Sequence, residues 1–161
     1  MTIRLPLLSL LIASLAFLVV FASPSQAEAQ RHPGSLGIGI GTTTLASGLS
    51  LKQVTGPTAL QLTAGCWRGC DGVSASLDLL TNMSPLIAGN EFFIAWNVGA
   101  GAAAGVADDT LGLAGSFVVG LELIFSSIPF DFVAEWRPSL LVLPDASFDI
   151  ATFGGHIRFY P

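Results

Sequence analysis

The chain reads as an all-β protein, an antiparallel up-and-down β-barrel of about eight strands preceded by an N-terminal signal-peptide helix. Three observations predict this. Only 11% of the 161 residues are charged while 52% are hydrophobic, and the mean hydropathy is +0.70, an unusual balance for a water-soluble chain of this size. Beyond the N-terminus, apolar residues recur at every second position rather than at helical spacing. Clusters of Gly, Pro, Asp, Asn, Ser and Thr divide these alternating stretches at short intervals.

The N-terminal segment has the parts of an export signal. Arg4 precedes an almost unbroken apolar run from Leu5 to Phe21, followed by Ala22-Ser23-Pro24-Ser25-Gln26-Ala27-Glu28-Ala29. A basic start, an apolar stretch and an Ala-x-Ala site make residues 1–29 a signal peptide cleaved before Gln30, and residues 30–161 the barrel domain. The apolar run also approaches the ~17 residues that a spanning helix can use. Pro24 and Ala27-Glu28-Ala29 favour cleavage over retention as an anchor, and no Cys follows the run to carry a lipid. Cleavage removes Arg4 and Glu28, leaving five basic and ten acidic residues and a net charge of about −5, which speaks against a nucleic-acid partner.

The clearest strands lie in the last third. In Phe117 to Phe125, the residues Phe117, Val119, Leu121, Leu123 and Phe125 share one face, with Gly120 and Glu122 on the other. After Ser126-Ser127-Ile128-Pro129, Phe130, Phe132, Ala134 and Trp136 oppose Asp131, Val133, Glu135 and Arg137. After Leu143-Pro144-Asp145-Ala146-Ser147, Ala151, Phe153, Gly155, Ile157 and Phe159 oppose Thr152, Gly154, His156 and Arg158. Five weaker segments complete eight: residues 35–41, 47–54, 58–67, 73–80 and 91–103, with residues 82–90 left as a long turn. The rows Gly37-x-Gly39-x-Gly41 and Gly99-x-Gly101 would make room inside a narrow barrel for larger groups from opposite strands. A nucleotide loop would need a further Gly and a helix start, which Thr42 to Leu45 do not offer.

Each clear strand pairs a bulky apolar face with a face of Gly, Thr, Glu, Arg and His. That is the order expected when lipid surrounds the wall and the interior is polar, and it reverses that of a soluble barrel. Strands in lipid must pair every backbone group, which only closure achieves. Eight strands of ~10 residues with short connections need about 130 residues, close to the length that remains once the signal is removed. Trp67, Phe92, Phe125, Phe130, Phe148, Phe159 and Tyr160 fall near strand ends as candidates for interfacial girdles. With both ends in the periplasm, the turns at Gly56-Pro57 and Ser127-Pro129 face the periplasm and the Cys66 to Cys70 loop faces out.

The stretch from Leu113 to Tyr160, with Gly120-Leu121-Glu122, Ser127-Ile128-Pro129-Phe130-Asp131, Glu135-Trp136-Arg137-Pro138, Phe148-Asp149 and terminal aromatics, resembles small bacterial outer-membrane β-barrel proteins of the OmpA/OmpX-like kind. The resemblance covers the last third by residue and the rest by pattern. It implies an outer-membrane barrel of a Gram-negative-type bacterium, with outer-membrane lipid and the barrel assembly machinery as partners and a monomer as its state. Such barrels often end on an aromatic residue, whereas this chain ends Phe159-Tyr160-Pro161.

Inside such a barrel the alternation places Glu122, Glu135, Arg137, His156 and Arg158, joined by Asp78 and Lys52. Glu122 or Glu135 pairing with Arg137 or Arg158 would satisfy charges that are costly to bury alone. Eight strands leave an interior just filled by side chains, so a structural charge plug is expected, with a small pore as the alternative. A soluble lipocalin-like carrier would need Phe132, Trp136 and Phe153 turned inward towards a ligand. No enzyme is expected: His32 lies near the N-terminus, and His156 has no Ser on its own strand face, Thr152 being the nearest hydroxyl. Cys66 and Cys70, in Cys-Trp-Arg-Gly-Cys, read as a loop disulfide of an exported chain in preference to free thiols. Two Cys without a nearby His make no metal site. Asp108-Asp109 reads as a solvated loop tip, and no cofactor is expected.

Overall fold

The computed structural model describes residues 32–161, so the signal peptide expected over residues 1–29 lies outside the described residues. Ten strands succeed one another in chain order: β1 (Leu36–Thr42), β2 (Ser47–Val54), β3 (Thr58–Trp67), β4 (Gly72–Ala88), β5 (Phe92–Ala107), β6 (Thr110–Phe125), β7 (Phe130–Trp136), β8 (Ser139–Leu143), β9 (Ser147–Asp149) and β10 (Phe153–Phe159). β6 pairs with β7 through Val119 to Ile124 and with β8 through Leu113 to Ser116. β7 and β8 are therefore one stave of the wall, interrupted at Arg137-Pro138 because proline has no N–H to give the ladder. β9 and β10 form another. Every stave pairs antiparallel with its sequence neighbour, and β1 pairs with β10, so eight staves close into a barrel.

The pairing register fixes the barrel's dimensions. Stepping straight across the ladders from Glu122 leads to Val133, His156, Gly41, Gly48, Gly65, Ser74, Gly105 and back to β6 at Gly112. One circuit thus shifts the register by ten residues, from 122 to 112. With a rise of ~3.3 Å per residue and ~4.8 Å between strands, that stagger tilts the staves by about 41° and gives a backbone radius of about 8 Å. Such a bore is filled by side chains meeting across it.

The strands read from alternation in the last third are present with the expected faces, but Ala151 and Thr152 fall in a break between β9 and β10, Ser147 belongs to β9 and not to a turn, and residues 139–143, not read as strand, form β8. The middle of the chain is more regular than its sequence suggests. Residues 82–90 are not a long turn: β4 runs on to Ala88, with a bulge between Met83 and Ile87 that accommodates Pro85, and the turn shrinks to Gly89-Asn90-Glu91. β5 continues to Ala107 and β6 starts at Thr110, joined at Asp108-Asp109, whose φ values of 45° and 61° are left-handed. Ala, Gly and Ser in residues 104–116 give alternation little contrast, although all of them pair.

The two faces of the wall differ completely in charge. Among the described residues, the outward face of the strands carries no Asp, Glu, Lys, Arg or His; it is Leu, Ile, Val, Phe, Trp and Ala, with Thr, Ser and Gln towards the strand ends. The inward face holds three buried cations (Lys52, Arg137, Arg158) and four buried carboxyl groups (Asp78, Glu122, Asp131, Glu135), and a fifth carboxylate, Asp149 of the short β9 opposite Ser139, is exposed. Between these charges lie buried apolar side chains, among them the wholly buried cluster of Ala59, Leu80 and Val118. The turns at Gly56-Pro57 and Ser127-Pro129 share one mouth with both barrel termini, and the Cys66 to Cys70 loop lies at the other.

Of the expected girdle aromatics, Phe92 and Phe125 are cross-strand partners, and so are Phe130 and Phe159, at the mouth that holds the termini. The Phe130 and Phe159 rings meet at a tilt of 58° with centroids 5.3 Å apart. Phe148 is exposed near the other mouth. Trp67 and Tyr160 are corrections: both turn inward and are buried. Glycines make their room. A Cβ at Gly37 would strike the Tyr160 ring, and one at Gly41 the His156 ring.

Candidate functional site in the barrel lumen

The lumen groups come from β2, β3, β4, β6, β7 and β10, because inward positions alternate along each strand and the stagger brings distant strands to one level. Arg137, held by its backbone N–H on the Thr152 carbonyl at 2.8 Å, stands at the centre of one group. Its Nη2 donates to Asp78 Oδ1 at 2.7 Å, and its Nη1 donates to Glu135 Oε2 at 2.6 Å and to Asp78 Oδ2 at 3.2 Å. Gln61 Nε2 donates to Asp78 Oδ2 and to Glu135 Oε1, each at 3.0 Å. One guanidinium and one amide therefore hold two carboxylates from opposite walls.

A second chain of bonds runs through His156. Arg158 Nε donates to Ser50 Oγ at 3.0 Å, and its Nη2 donates to Gln61 Oε1. Ser50 Oγ lies 2.9 Å from His156 Nδ1, and His156 Nε2 lies 3.2 Å from Glu135 Oε2. The Ser50 hydroxyl thus links Arg158 to the imidazole, and His156 Nε2 faces both the Glu135 carboxylate and, at 3.2 Å, Gln61 Nε2. A third pair stands apart: Lys52 Nζ donates to both oxygens of Glu122 at 2.8 Å across the bore. Asp131 and Tyr160 share the end of the lumen where Lys52, Glu122 and Arg158 lie.

The structure brings the seven ionisable groups singled out in the sequence into this one lumen, with partners of its own choosing. Glu135 does pair with Arg137. Glu122 takes Lys52, seventy positions away in sequence, and not an arginine. Arg158 gives its hydrogen bonds to the neutral Ser50 and Gln61. Sequence reasoning misses Ser50 and Gln61. Their only signal is polarity at inward positions, Ser50-x-Lys52 in β2 and Leu60-Gln61-Leu62 in β3. Asn97 and Thr63 are buried there as well.

Ser50, His156 and Glu135 are ordered as an acyl-transfer triad would be, with the hydroxyl supplied by another strand. The chemistry does not follow from the order. Ser50 is wholly buried and its oxygen is held by Arg158, so no acyl carbonyl reaches it. As arranged, most of these charged groups bond one another across the bore, while Thr63 Oγ1, the Asn97 amide, Arg137 Nε and Arg158 Nη1 are buried without a hydrogen-bond partner among the described residues. At the far mouth, the Cys66–Cys70 disulfide is formed, with Cys66 on the outward side and Trp67 on the inward side. Among the described residues no group of three or more His, Cys, Asp or Glu is placed to hold a metal ion.

The chain matches no family model, no curated protein and no solved structure.

Proposed function

We propose that this protein is an integral barrel of a Gram-negative-type outer membrane, exported through a cleaved signal peptide, with a structural or interaction role and a lumen plugged by its own charges. The observation that carries this reading is the sorting of charge: none on the outward strand face, and three cations, four carboxyl groups and a histidine buried on the inward face. Water outside such a wall would meet Phe132, Trp136, Phe153 and a continuous band of Leu, Ile and Val. Lipid outside removes that cost, and closure satisfies the backbone groups that lipid cannot. β5 and β6 are 16 residues each, and at ~3.3 Å rise and about 41° tilt they climb about 40 Å, more than the ~25 Å apolar band of such barrels. On this reading the outward face is solvated by outer-membrane lipid, the barrel assembly machinery is the partner in biogenesis, and the barrel is a monomer.

The test is fractionation of the native protein followed by detergent electrophoresis with and without boiling. Recovery in the outer membrane with a faster-running unheated band is the expected result. A soluble protein without a heat shift would refute it and promote a carrier. The polar lining from Ser76 through Thr63 and Gln61 to Lys52 favours a small pore as the second reading. Planar-bilayer recording separates the two, since a charge plug predicts no discrete conductance steps and a pore requires them.

A further inference from the structure

We infer that Trp67 is a lid on the mouth of the lumen farthest from the termini, and that the Cys66–Cys70 disulfide is the latch that keeps it shut. The inference rests on the closed barrel alone and holds whichever solvent surrounds the wall. Trp67 ends β3 at the rim, where an aromatic side chain has an exposed outward position open to it; instead it takes the inward one and is only 7% exposed. Its seat is built by omission. Gly105 and Gly112 are direct cross-strand partners on β5 and β6, two and three strands beyond β3. A Cβ at Gly112 would lie 2.5 Å from Trp67 Cη2, and one at Gly105 would lie 3.0 Å from Cε3. The indole therefore reaches past β4 and lies on bare backbone; a side chain at Gly112 would overlap it, and one at Gly105 would press it by a few tenths of an ångström.

The latch encloses the lid. Trp67 sits between the two cysteines, in a turn that includes the 3-10 segment Arg68–Cys70. Gly69 has φ 73° and Cys70 φ 83°, and the second is a conformation that residues with a side chain seldom adopt unless tied. The covalent tie from Cys70 back to Cys66 fixes that turn, and with it the last rung of the hairpin, Trp67 opposite Gly72. Ser74 extends the connection. Its hydroxyl is 3.1 Å from the Cys66 carbonyl and 3.0 Å from the Leu45 carbonyl.

Leu45 belongs to the β1–β2 turn, which leans into the same mouth. Thr43 Oγ1 donates to Ser76 at 3.0 Å, and Thr44 Oγ1 lies 3.3 Å from Ser116 Oγ. The β1–β2 turn beside the indole is thus hydrogen-bonded through hydroxyls to β4 and β6. Opening the lid would wet these hydroxyls while the charge plug beneath stays in place.

Release requires a dithiol reductant. One of its thiolates attacks a sulfur of the pair, its second thiol resolves the mixed disulfide, and it leaves as a cyclic disulfide. Two electrons and two protons pass to Cys66 and Cys70, which become thiols. The experiment uses the full chain folded in detergent micelles and carrying Trp96→Phe and Trp136→Phe, so that Trp67 is the one fluorophore of its kind. Acrylamide quenching is read before and after dithiothreitol, with thiols titrated and the unheated gel band followed. The expected result is two free thiols, a preserved fast band and a quenching constant raised about threefold or more as a shielded indole becomes wet. Unchanged quenching with two free thiols overturns the latch, and so does loss of the fast band, which would make the disulfide a staple of the whole fold. Gly112→Ala tests the seat with the disulfide intact. It should raise quenching in the oxidised protein, and an unaltered value overturns the lid.

Discussion

Arg137→Met removes the guanidinium that, with the Gln61 amide, holds Asp78 and Glu135 together, and its cost can be worked from the lumen contacts. Three hydrogen bonds of 2.6, 2.7 and 3.2 Å are lost. Both carboxylates are fully buried, so neither can turn to water. There remain the Gln61 amide, already shared between them, and the His156 ring beside Glu135. Breaking a buried pair from one side costs about 3–5 kcal/mol, mostly from the charge left behind. With a urea dependence of about 2 kcal/mol per molar, the unfolding midpoint should fall by roughly 2 M. The assay is urea titration of the protein folded in detergent, followed by tryptophan emission and by the unheated gel band. Adding Asp78→Asn to the variant removes one stranded charge and should return about 1 kcal/mol or more. A midpoint shift below roughly 0.5 M for the single variant would mean that the guanidinium does not compensate those carboxylates, and the charge-plug account would fall.

The same geometry fixes three further outcomes. Phe132→Asp and Trp136→Asp place a carboxylate on the outward wall and should block membrane assembly; a soluble, folded variant that has lost binding of an apolar ligand would favour a carrier instead. Gly39→Ala drives a methyl into the Ile157 backbone at the seam where β1 meets β10 and should cost about 1–3 kcal/mol, seen as a lowered temperature for loss of the fast gel band; wild-type behaviour would contradict the register of that seam. Ser50→Ala leaves His156 Nδ1 and Arg158 Nε without their shared partner and should lower stability by about 1–3 kcal/mol. Its ester hydrolysis should equal that of the wild type at background level, and a wild-type esterase rate abolished by the substitution would turn the trio into a catalytic one.

How far the sequence can be read tracks the contrast between the two faces of each strand. Phe130 to Arg137 alternates bulky apolar against charged residues, so its period of two is plain, and the structure adopts it with those faces. In Gly99 to Gly105 both faces are Gly, Ala or nearly so, and in the absence of contrast a period cannot be seen although every residue pairs. Residues 82–90 mislead for a different reason. Ser84-Pro85 carries turn chemistry, but a bulge lets the ladder resume at Ile87 opposite Ile94. Local composition reports that a backbone N–H is missing, not whether the strand ends there.

The lumen is legible as a set and illegible as a network. Alternation within one strand settles that Glu122 and Arg158 share the interior, because that depends on neighbours two positions away. Which groups meet depends on the ten-residue stagger, a property of the closed circuit that no single strand encodes. The stagger lifts each stave relative to the next, so Lys52 on β2 comes level with Glu122 on β6 and bonds it at 2.8 Å. Arg158 on β10 comes level with Ser50 and Gln61. A change of register at any seam would turn each inward charge against a different partner or against none. Burial without a partner costs several kcal/mol per charge. The network therefore penalises misregistered closures in proportion to the charges they strand. An apolar interior, indifferent to which side chain meets which, would not. In a wall whose outward face is greasy at every register, the lumen charges are the part of the sequence that can specify which barrel forms.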